Sequence, residues 1–402
     1  MSKCYKQNIL IVHNYYQIPG GEDTVVLNEK RLLEEHGHKV YLYTKHNNEL
    51  KTASFLRKIL LFFSCCYNLR TVKDIKRIIK NEHIDIVHVH NTLPLISPAV
   101  YYAAIKCKTP VVQTIHNFRF LCPSATFYRD GHICEDCLKK GLYCSLLHKC
   151  YRNSFIQTFV CVFNTWLHRH TGILKRVNFI CLTEFNKNKF LQIKYVDPSK
   201  IFVKPNFTFE FEQAKGRKIT NRYSKEFFLY IGRIEEIKGI RLLVEAFKRM
   251  PNINLKLAGT GSLMKDIEIS NNIDLLGFKN RDELVELIIN AKAIILPSLW
   301  YEGFPMVITE AFSLHKAIIV GDIGNNGVLI EDGINGLKFK FNDVDSLIKV
   351  IRNFSQELRN KIENNAYKDY LRCYSAFSNY LELKKIYDSI QYVEYGKEKI
   401  DV

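Results

Sequence analysis

Ala293-Ile-Ile-Leu-Pro297-Ser-Leu-Trp-Tyr-Glu302-Gly303-Phe304-Pro305-Met306-Val-Ile-Thr-Glu310-Ala311 reads as a short buried strand, a loop and the opening of a helix. The apolar run Ala293–Leu296 predicts the strand, and Val307–Leu314 predicts the helix. Gly303 frees the backbone to approach a ligand, and Pro305 suits a first helical turn. The first N–H groups of such a helix are unpaired and favour an anion. Glu302 and Glu310 stand eight residues apart and can accept hydrogen bonds from a polyhydroxylated ligand. The plainer alternative is a surface glutamate and one that merely complements the helix dipole.

The same strand–loop–helix unit recurs on both sides. Strands are expected at Ile9–Val12, Lys39–Tyr43, Ile84–Val89, Pro110–Thr114 and Asn178–Leu182. A second set follows at Phe227–Tyr230, Asn254–Ala258, Ile273–Leu276 and Ala317–Val320. Helices are expected between them, among them Thr24–His36, Thr71–Glu82, Gly239–Arg249, Arg281–Asn290 and Val344–Phe354. Alternating β and α elements predict an α/β protein of two doubly wound parallel domains, each with its ligand edge at the carboxyl ends of the strands. The join is set at Val203-Lys-Pro-Asn-Phe207, where Pro205 fixes the chain direction and the polar stretch Gln213–Lys225 follows. This gives domains at 1–205 and 206–375, with a helical tail at 376–402. The tail's aromatic spacing (Tyr367, Tyr370, Tyr374, Phe377, Tyr380, Tyr387) reads as buried packing.

Two further βα loops carry chemistry. Tyr230-Ile-Gly232-Arg233-Ile-Glu-Glu-Ile-Lys238-Gly239 places a guanidinium and an ammonium beside glycine, which suits a diphosphate. A loop ion pair from Arg233 to Glu235 or Glu236 is the alternative. Pro19-Gly20-Gly21-Glu-Asp23, between the first strand and first helix, lets backbone N–H groups reach phosphate. No G-x-G-x-x-G dinucleotide fingerprint is present.

These three elements, in this order, resemble the retaining glycosyltransferases of family 4 (group 1), whose two-domain fold is GT-B. Thr114-Ile-His116-Asn117, Ala258-Gly-Thr-Gly-Ser262, Leu276-Gly-Phe278 and Asp332-Gly-Ile-Asn-Gly336 match as well. The resemblance covers nearly the whole chain. It implies two Rossmann-like domains facing a central cleft, with the C-terminal helix crossing back to the first domain. It also implies that Gly232, Arg233 and Lys238 bind the donor diphosphate and that Glu310 holds the ribose. Glu302 and the Gly303, Phe304 and Met306 amides would hold the transferred sugar. Gly20 and Gly21 would serve the phosphates, His116 would line the site near the sugar, and Phe278 and Lys279 would border the base. Arg233, Lys238, Glu302 and His116 are the catalytic set. Where many members carry Gly-Gly-x-x-Glu, this chain has Gly321-Asp-Ile-Gly-Asn-Asn-Gly-Val-Leu-Ile330, with asparagine and no glutamate.

Fixed cations and helix amides at a departing diphosphate stabilise the transition state of glycosyl transfer, and can replace a divalent metal. No cofactor is therefore expected for catalysis. The retaining mechanism of the family is usually described as front-face attack, with a phosphate oxygen taking the acceptor's proton and no protein nucleophile. The implied partners are a UDP- or GDP-linked sugar and a glycan or lipid-linked glycan acceptor of bacterial surface polysaccharide synthesis (capsule, exopolysaccharide or O-antigen).

A cysteine-bearing insertion, 118–152, holds Cys122, Cys134, Cys137, Cys144 and Cys150. Cys134-x2-Cys137 is half of a zinc site, which Cys122 and Cys150 could complete as a structural Cys4 shell. Redox-labile thiols and a disulfide are the alternatives. Four thiolates would leave no open position for catalysis.

Charge is unevenly spread: 30 basic and 14 acidic residues up to Pro205, against 28 and 27 beyond. Such asymmetry points to a polyanionic partner for the first half. Leu50–Arg77 sets Lys51, Arg57, Lys58, Arg70, Lys73, Lys76 and Arg77 around Phe55, Leu56 and Ile59–Phe63. That is an interfacial pattern, or an ordinary core helix with solvated ends. The apolar runs at Ile59–Tyr67 and Phe155–Leu167 fall short of the roughly 18–20 residues a spanning helix needs. The start carries no signal-peptide pattern. The expectation is a cytoplasmic chain held peripherally at the inner face of the cytoplasmic membrane. The competing readings are a nucleic-acid-binding protein, another GT-B enzyme such as an epimerase or phosphorylase, and an inactive scaffold. Nucleic acid is not expected as a partner, because no RNA or DNA module is recognisable and the diphosphate motifs would go unexplained.

Overall fold

The computed structural model describes residues 6–18, 20–51, 55–211 and 225–398. They form two compact units: Met1–Ala125, Glu135–Pro205 and Asn379–Val402 in the first, and Thr126–Cys134 with Asn206–Ser378 in the second. The strands are β1 (Asn8–Tyr15), β2 (Lys39–His46), β3 (Ile86–Asn91), β4 (Val111–Ile115), β5 (Tyr128–Arg129), β6 (His132–Ile133), β7 (Asn178–Cys181) and β8 (Ile201–Val203), then β9 (Phe227–Ile231), β10 (Asn254–Ala258), β11 (Ile273–Gly277), β12 (Ile294–Leu296), β13 (Ile318–Gly321) and β14 (Leu337–Phe339).

The first unit holds a six-stranded sheet in the order β2-β1-β3-β4-β7-β8, with every pairing parallel. Both faces of β1, β3 and β4 are buried, which is why they appear in the sequence as continuous apolar runs rather than alternating ones. Helix Leu69–Asn81 starts two residues before the expected Thr71. Asn68 sets that start, its side chain accepting from the N–H groups of Arg70 and Thr71.

The second unit holds a parallel sheet in the order β11-β10-β9-β12-β13-β14. The period of two along β9 divides its core. Phe228 and Tyr230 join one apolar cluster with Leu255, Leu257 and Ile295, while Phe227 and Leu229 join another with Ile294, Leu296 and Ile308. Each cluster is roofed by helices of one face. Thr126–Cys134, which lies in the cysteine-bearing stretch and carries the antiparallel β5–β6 hairpin, groups with this unit. Its Phe127 is fully buried and lies edge-on to Tyr301, ring centroids 5.9 Å apart.

The tail is helical in two pieces. Gln356–Asp369 runs into a π-helical turn, Tyr370–Tyr374, and Ser375 breaks the helix with an extended backbone (ψ 155°) before Ala376–Glu398 resumes. In the first unit, Tyr380 stacks on His36 at 3.5 Å, and the Tyr387 hydroxyl lies 2.7 Å from Nδ1 of His88. Of the expected aromatic stripe, Tyr370, Tyr380 and Tyr387 are buried and Tyr367 and Tyr374 half-buried, while Phe377 is 64% exposed, just after the break at Ser375 resets the helical phase.

Candidate active site

In the second sheet the chain order reverses between β9 and β12, and in open α/β sheets ligands bind in the crevice at the carboxyl ends of such a pair. The loops leaving these two strands are Gly232–Gly239 and Pro297–Pro305, which carry two of the sequence motifs. They are tied together: the Leu299 N–H donates to the Ile237 carbonyl at 2.9 Å. Gly239 has φ +72°, and a Cβ there would lie 1.9 Å from the Pro297 carbonyl oxygen. The two loops approach closely only because residue 239 has no side chain.

Lys238 and Glu302, one from each loop, meet at 2.6 Å. The Ser298 hydroxyl donates to the same Glu302 oxygen at 2.7 Å, and the Lys238 ammonium lies 5.2 Å from the centre of the Trp300 ring. Burial works to raise the Glu302 carboxyl, but Lys238, Ser298 and Trp300 outweigh it and hold the group below the usual range. Glu302 is therefore an anion at neutral pH. Its backbone is pinned as well, since the Asn325 amide donates to the carbonyls of Glu302 and Gly303 at 2.6 and 2.7 Å.

Arg233 makes the loop ion pair offered as the alternative, Nη1 to Glu235 at 3.0 Å, with its side chain 51% exposed. Glu236 pairs with Arg241 instead. An exposed pair of this kind is worth about 0–1 kcal/mol, so Arg233 can exchange Glu235 for an incoming dianion at little cost. Helix Met306–Ser313 starts one residue before the expected Val307, and no side chain caps its start at Pro305. On this helix, burial raises the Glu310 carboxyl against the pull of Arg281. Phe304 is buried and Phe278 is 76% exposed, so Phe278 offers a ring face to solvent. Within the Gly321–Ile330 stretch, where asparagine replaces the family's glutamate, Asn326 stands out. It is 1% exposed, and neither its amide nitrogen nor its amide oxygen has a hydrogen-bond partner among the described residues.

In the first unit the corresponding reversal lies between β1 and β3. Gly20 and Gly21 open helix Gly21–Glu35, with Gly20 as N-cap, its N–H bonded to Asp23 at 3.0 Å; Pro19 lies outside the described residues. Asp23 also meets Nε2 of His13 at 2.8 Å. His116 follows β4. Its Nε2 lies 2.9 Å from Nδ1 of His90, and burial, then the neighbouring His90, hold it well below the usual imidazole range. His116 also lines a concavity with Asn91, Asn117, Arg119 and Asn164.

Next to Gly21, burial lifts the Glu22 carboxyl from 4.5 to about 8; the Tyr16 hydroxyl and Arg119 offset part of the lift and Asp23 adds to it. The folded chain thus keeps a proton that the unfolded chain releases near pH 4.5, so this group lowers stability progressively as pH rises from about 4.5 to 8. Glu22→Gln removes that loss. Urea midpoints taken at pH 5 and pH 8 should fall less for the variant than for the wild type; equal falls would rule the effect out.

Cys122, Cys137 and Cys144 are buried thiols. Burial, followed by Cys122 and Cys150, pushes Cys137 up to about 12. Among the described residues, one trio of possible ligands has its atoms within 4.8 Å of one another: Glu29, His88 and His90.

Two doubly wound sheets with charged and glycine-bearing loops at their carboxyl edges are the architecture of GT-B glycosyltransferases. The family model described as glycosyl transferases group 1 matches residues 212–369, and the one described as Glycosyltransferase Family 4 matches residues 19–208. The chain belongs to this family of glycosyltransferases. An Escherichia coli protein, UDP-Gal:alpha-D-GlcNAc-diphosphoundecaprenol alpha-1,3-galactosyltransferase, is 29% identical over 385 residues, covering 86% of this chain and 89% of that protein. A Rickettsia africae glycosyltransferase structure superposes with TM-score 0.68 at 18% identity, covering 96% of this chain and 98% of that one. Anabaena HepE in complex with UDP gives 0.65 at 15%, covering 95% and 100%. These two likenesses carry the fold.

Proposed function

We propose that the chain moves a hexose or related sugar, with retention, from a nucleotide sugar to a lipid-carrier-linked glycan in the assembly of a bacterial surface polysaccharide. The observation that carries this is the Lys238–Glu302 pair beside Arg233 at the crevice between β9 and β12. Departure of a nucleoside diphosphate builds negative charge there. Lys238 and the uncapped helix start are held in place before that charge develops, and Arg233 can turn from Glu235 to meet it. The acceptor hydroxyl attacks the anomeric carbon on the leaving-group side, the bond to the diphosphate oxygen breaks, and a phosphate oxygen takes the proton. No protein nucleophile and no metal is required in this scheme. Glu302 orients the sugar hydroxyls, Glu310 the ribose, and Phe278 borders the base. His116 is the sugar-facing group of the first unit. The named activity of the E. coli relative, on a diphosphoundecaprenol-linked sugar with UDP-Gal, and the UDP held by the Anabaena structure favour a uridine donor.

A panel of UDP- and GDP-sugars tests the reading by thermal shift. A true donor at 100 times its Kd adds about 2.7 kcal/mol of stability. No stabilisation by any nucleotide sugar or free nucleoside diphosphate at millimolar concentration would end it.

A lipid-linked acceptor places the first unit against anionic phospholipid. Among the described residues no helix is long and apolar enough to cross a membrane. Residues 52–54 of the basic segment, and the side chains of Phe55–Ile59, lie outside those described. Beyond them, Leu60 and Phe63 on helix Phe55–Cys66 are exposed, as are Phe159 and Trp166 on helix Phe155–His170. Phe62 stacks on Phe159 and Phe163 at 6.2 and 6.0 Å, so the two helices share one aromatic face. Arg70, Lys73 and Arg77 are exposed on the next helix, Leu69–Asn81. In flotation at low salt the protein should rise with anionic vesicles and not with neutral ones. Phe63→Ser with Trp166→Ser should weaken that binding. Equal recovery on both vesicle types would remove the membrane from the reading.

A further inference from the structure

The first unit buries a set of titratable groups that the proposed chemistry does not use. Glu29, on helix Gly21–Glu35, is fully buried, as are His13 on β1 and His88 on β3, and His90 is 3% exposed. Lys204, 1% exposed, reaches Glu29 Oε2 at 3.3 Å and donates to Asn379 Oδ1 at 2.9 Å. The other carboxylate oxygen, Oε1, lies 2.8 Å from His88 Nδ1 and 3.3 Å from His90 Nε2. His90 Nδ1 then lies 2.9 Å from His116 Nε2. A line of polar atoms therefore runs from a buried ammonium, through a carboxylate and the His90 imidazole, to His116; both histidines border the concavity.

We propose that Glu29 and His90 are positioning residues that hold His116 in the Nε2–H tautomer, leaving Nδ1 as the ring atom that accepts a hydrogen bond from a ligand hydroxyl. The assignment follows from counting protons. Nε2 of His90 and Oε1 of Glu29, 3.3 Å apart, lack the alignment of a hydrogen bond, but the negative charge on that oxygen still favours a proton on Nε2 over a lone pair. His90 is neutral, since burial and then the neighbouring His88 lower it to about 4 even though Glu29 pulls the other way. Its Nδ1 is therefore bare. Two bare nitrogens cannot share a 2.9 Å contact, so His116 supplies the proton from Nε2. His88 fits the same scheme. Its Nδ1 lies 2.7 Å from the Tyr387 hydroxyl, with Glu29 Oε1 close by, and its Nε2 lies 2.8 Å from the Thr114 hydroxyl, which can donate to it.

A metal on Glu29, His88 and His90 is the competing use of these atoms. Two features oppose it. The Lys204 ammonium already neutralises Glu29 at 3.3 Å. The His88 and His90 rings are stacked, centroids 4.4 Å apart and planes 24° apart, so a single ion cannot lie in the plane of both.

The consequence for catalysis rests on the assignment of His116 to the transferred sugar, but the tautomer itself does not. Nitrogen-15 NMR of the full chain labelled at histidine, with the His116 signals identified by their loss in His116→Gln, reads the tautomer directly. The expected wild-type spectrum shows an N–H nitrogen at Nε2 and a bare nitrogen at Nδ1. In Glu29→Gln the amide can donate to His90 Nε2, which moves the His90 proton to Nδ1 and drives the His116 proton to its own Nδ1. The same variant should lose about 10–100-fold in kcat with donor KM little changed. His90→Gln, whose amide oxygen can still accept from His116, should keep the wild-type tautomer. A His116 proton on Nδ1 in the wild type would overturn the proposal even if Glu29→Gln failed to fold. So would an unchanged tautomer in a folded Glu29→Gln, or a stoichiometric bound metal lost in that variant. If the tautomer is as stated but no nucleotide sugar binds, the functional reading fails and this one stands.

Discussion

Lys238→Ala lowers kcat by about 10²–10³-fold, the cost of removing one preorganised charge from a developing anion. Two losses combine in that figure. The ammonium no longer meets the departing diphosphate, and Glu302 loses the partner that, at 2.6 Å, keeps its carboxyl ionised despite burial. Steady-state kinetics with a donor from the thermal-shift panel measures the effect, and Lys238→Ala/Glu302→Gln separates the two losses. If Lys238 served only to hold Glu302, the double variant would be no slower than Glu302→Gln alone. The diphosphate assignment expects it to be markedly slower than Glu302→Gln alone. Arg233→Ala should slow the reaction comparably without a measurable change in stability, because its one pairing is half exposed. Near-wild-type turnover in both single variants would remove the diphosphate site.

Gly239→Ala has the largest expected effect on the folded state. A methyl group 1.9 Å from the Pro297 carbonyl oxygen cannot be absorbed by a rotamer change, since the atom it meets is backbone. Either the Gly232–Gly239 loop or the Pro297–Pro305 loop must move. Overpacking costs about 1–3 kcal/mol, and the left-handed φ of +72° adds about 1 kcal/mol for a residue with a Cβ. A urea melt should register that loss. Because the displaced loops carry Lys238 and Glu302, activity should fall further than stability alone explains. A Gly239→Ala variant with unchanged midpoint and unchanged kcat would contradict the close approach.

Much of this was legible in the sequence. Strands buried on both faces announce themselves as apolar runs, and the two motifs of the second unit lie on the loops of one crevice because each directly follows its strand. What was not legible depends on distant residues meeting. β8 and β14 are three-residue edge strands bounded by lysine or glycine, with no longer apolar run around them such as marks the equally short β12. Helix Phe155–His170 read only as a broken apolar run, since its stripe partner Phe62 lies a hundred residues earlier in the chain. Asn325, whose amide pins the carbonyls of Glu302 and Gly303, carries no local sign of that role. His88 stands beside Ile11 only through the parallel register of β1 with β3. A polar cluster assembled by register, a helix and the far end of the chain has no spacing for a motif to capture.

The return of the last helix has a consequence for biogenesis. Asn379 holds Lys204, Tyr380 covers His36, and Tyr387 meets His88, so the first unit is finished by residues made after the second unit. Domains usually close in the order they are synthesised. Here the amino-terminal unit must wait, its ammonium and imidazoles unshielded, while the whole of the intervening unit is made and can fold ahead of it.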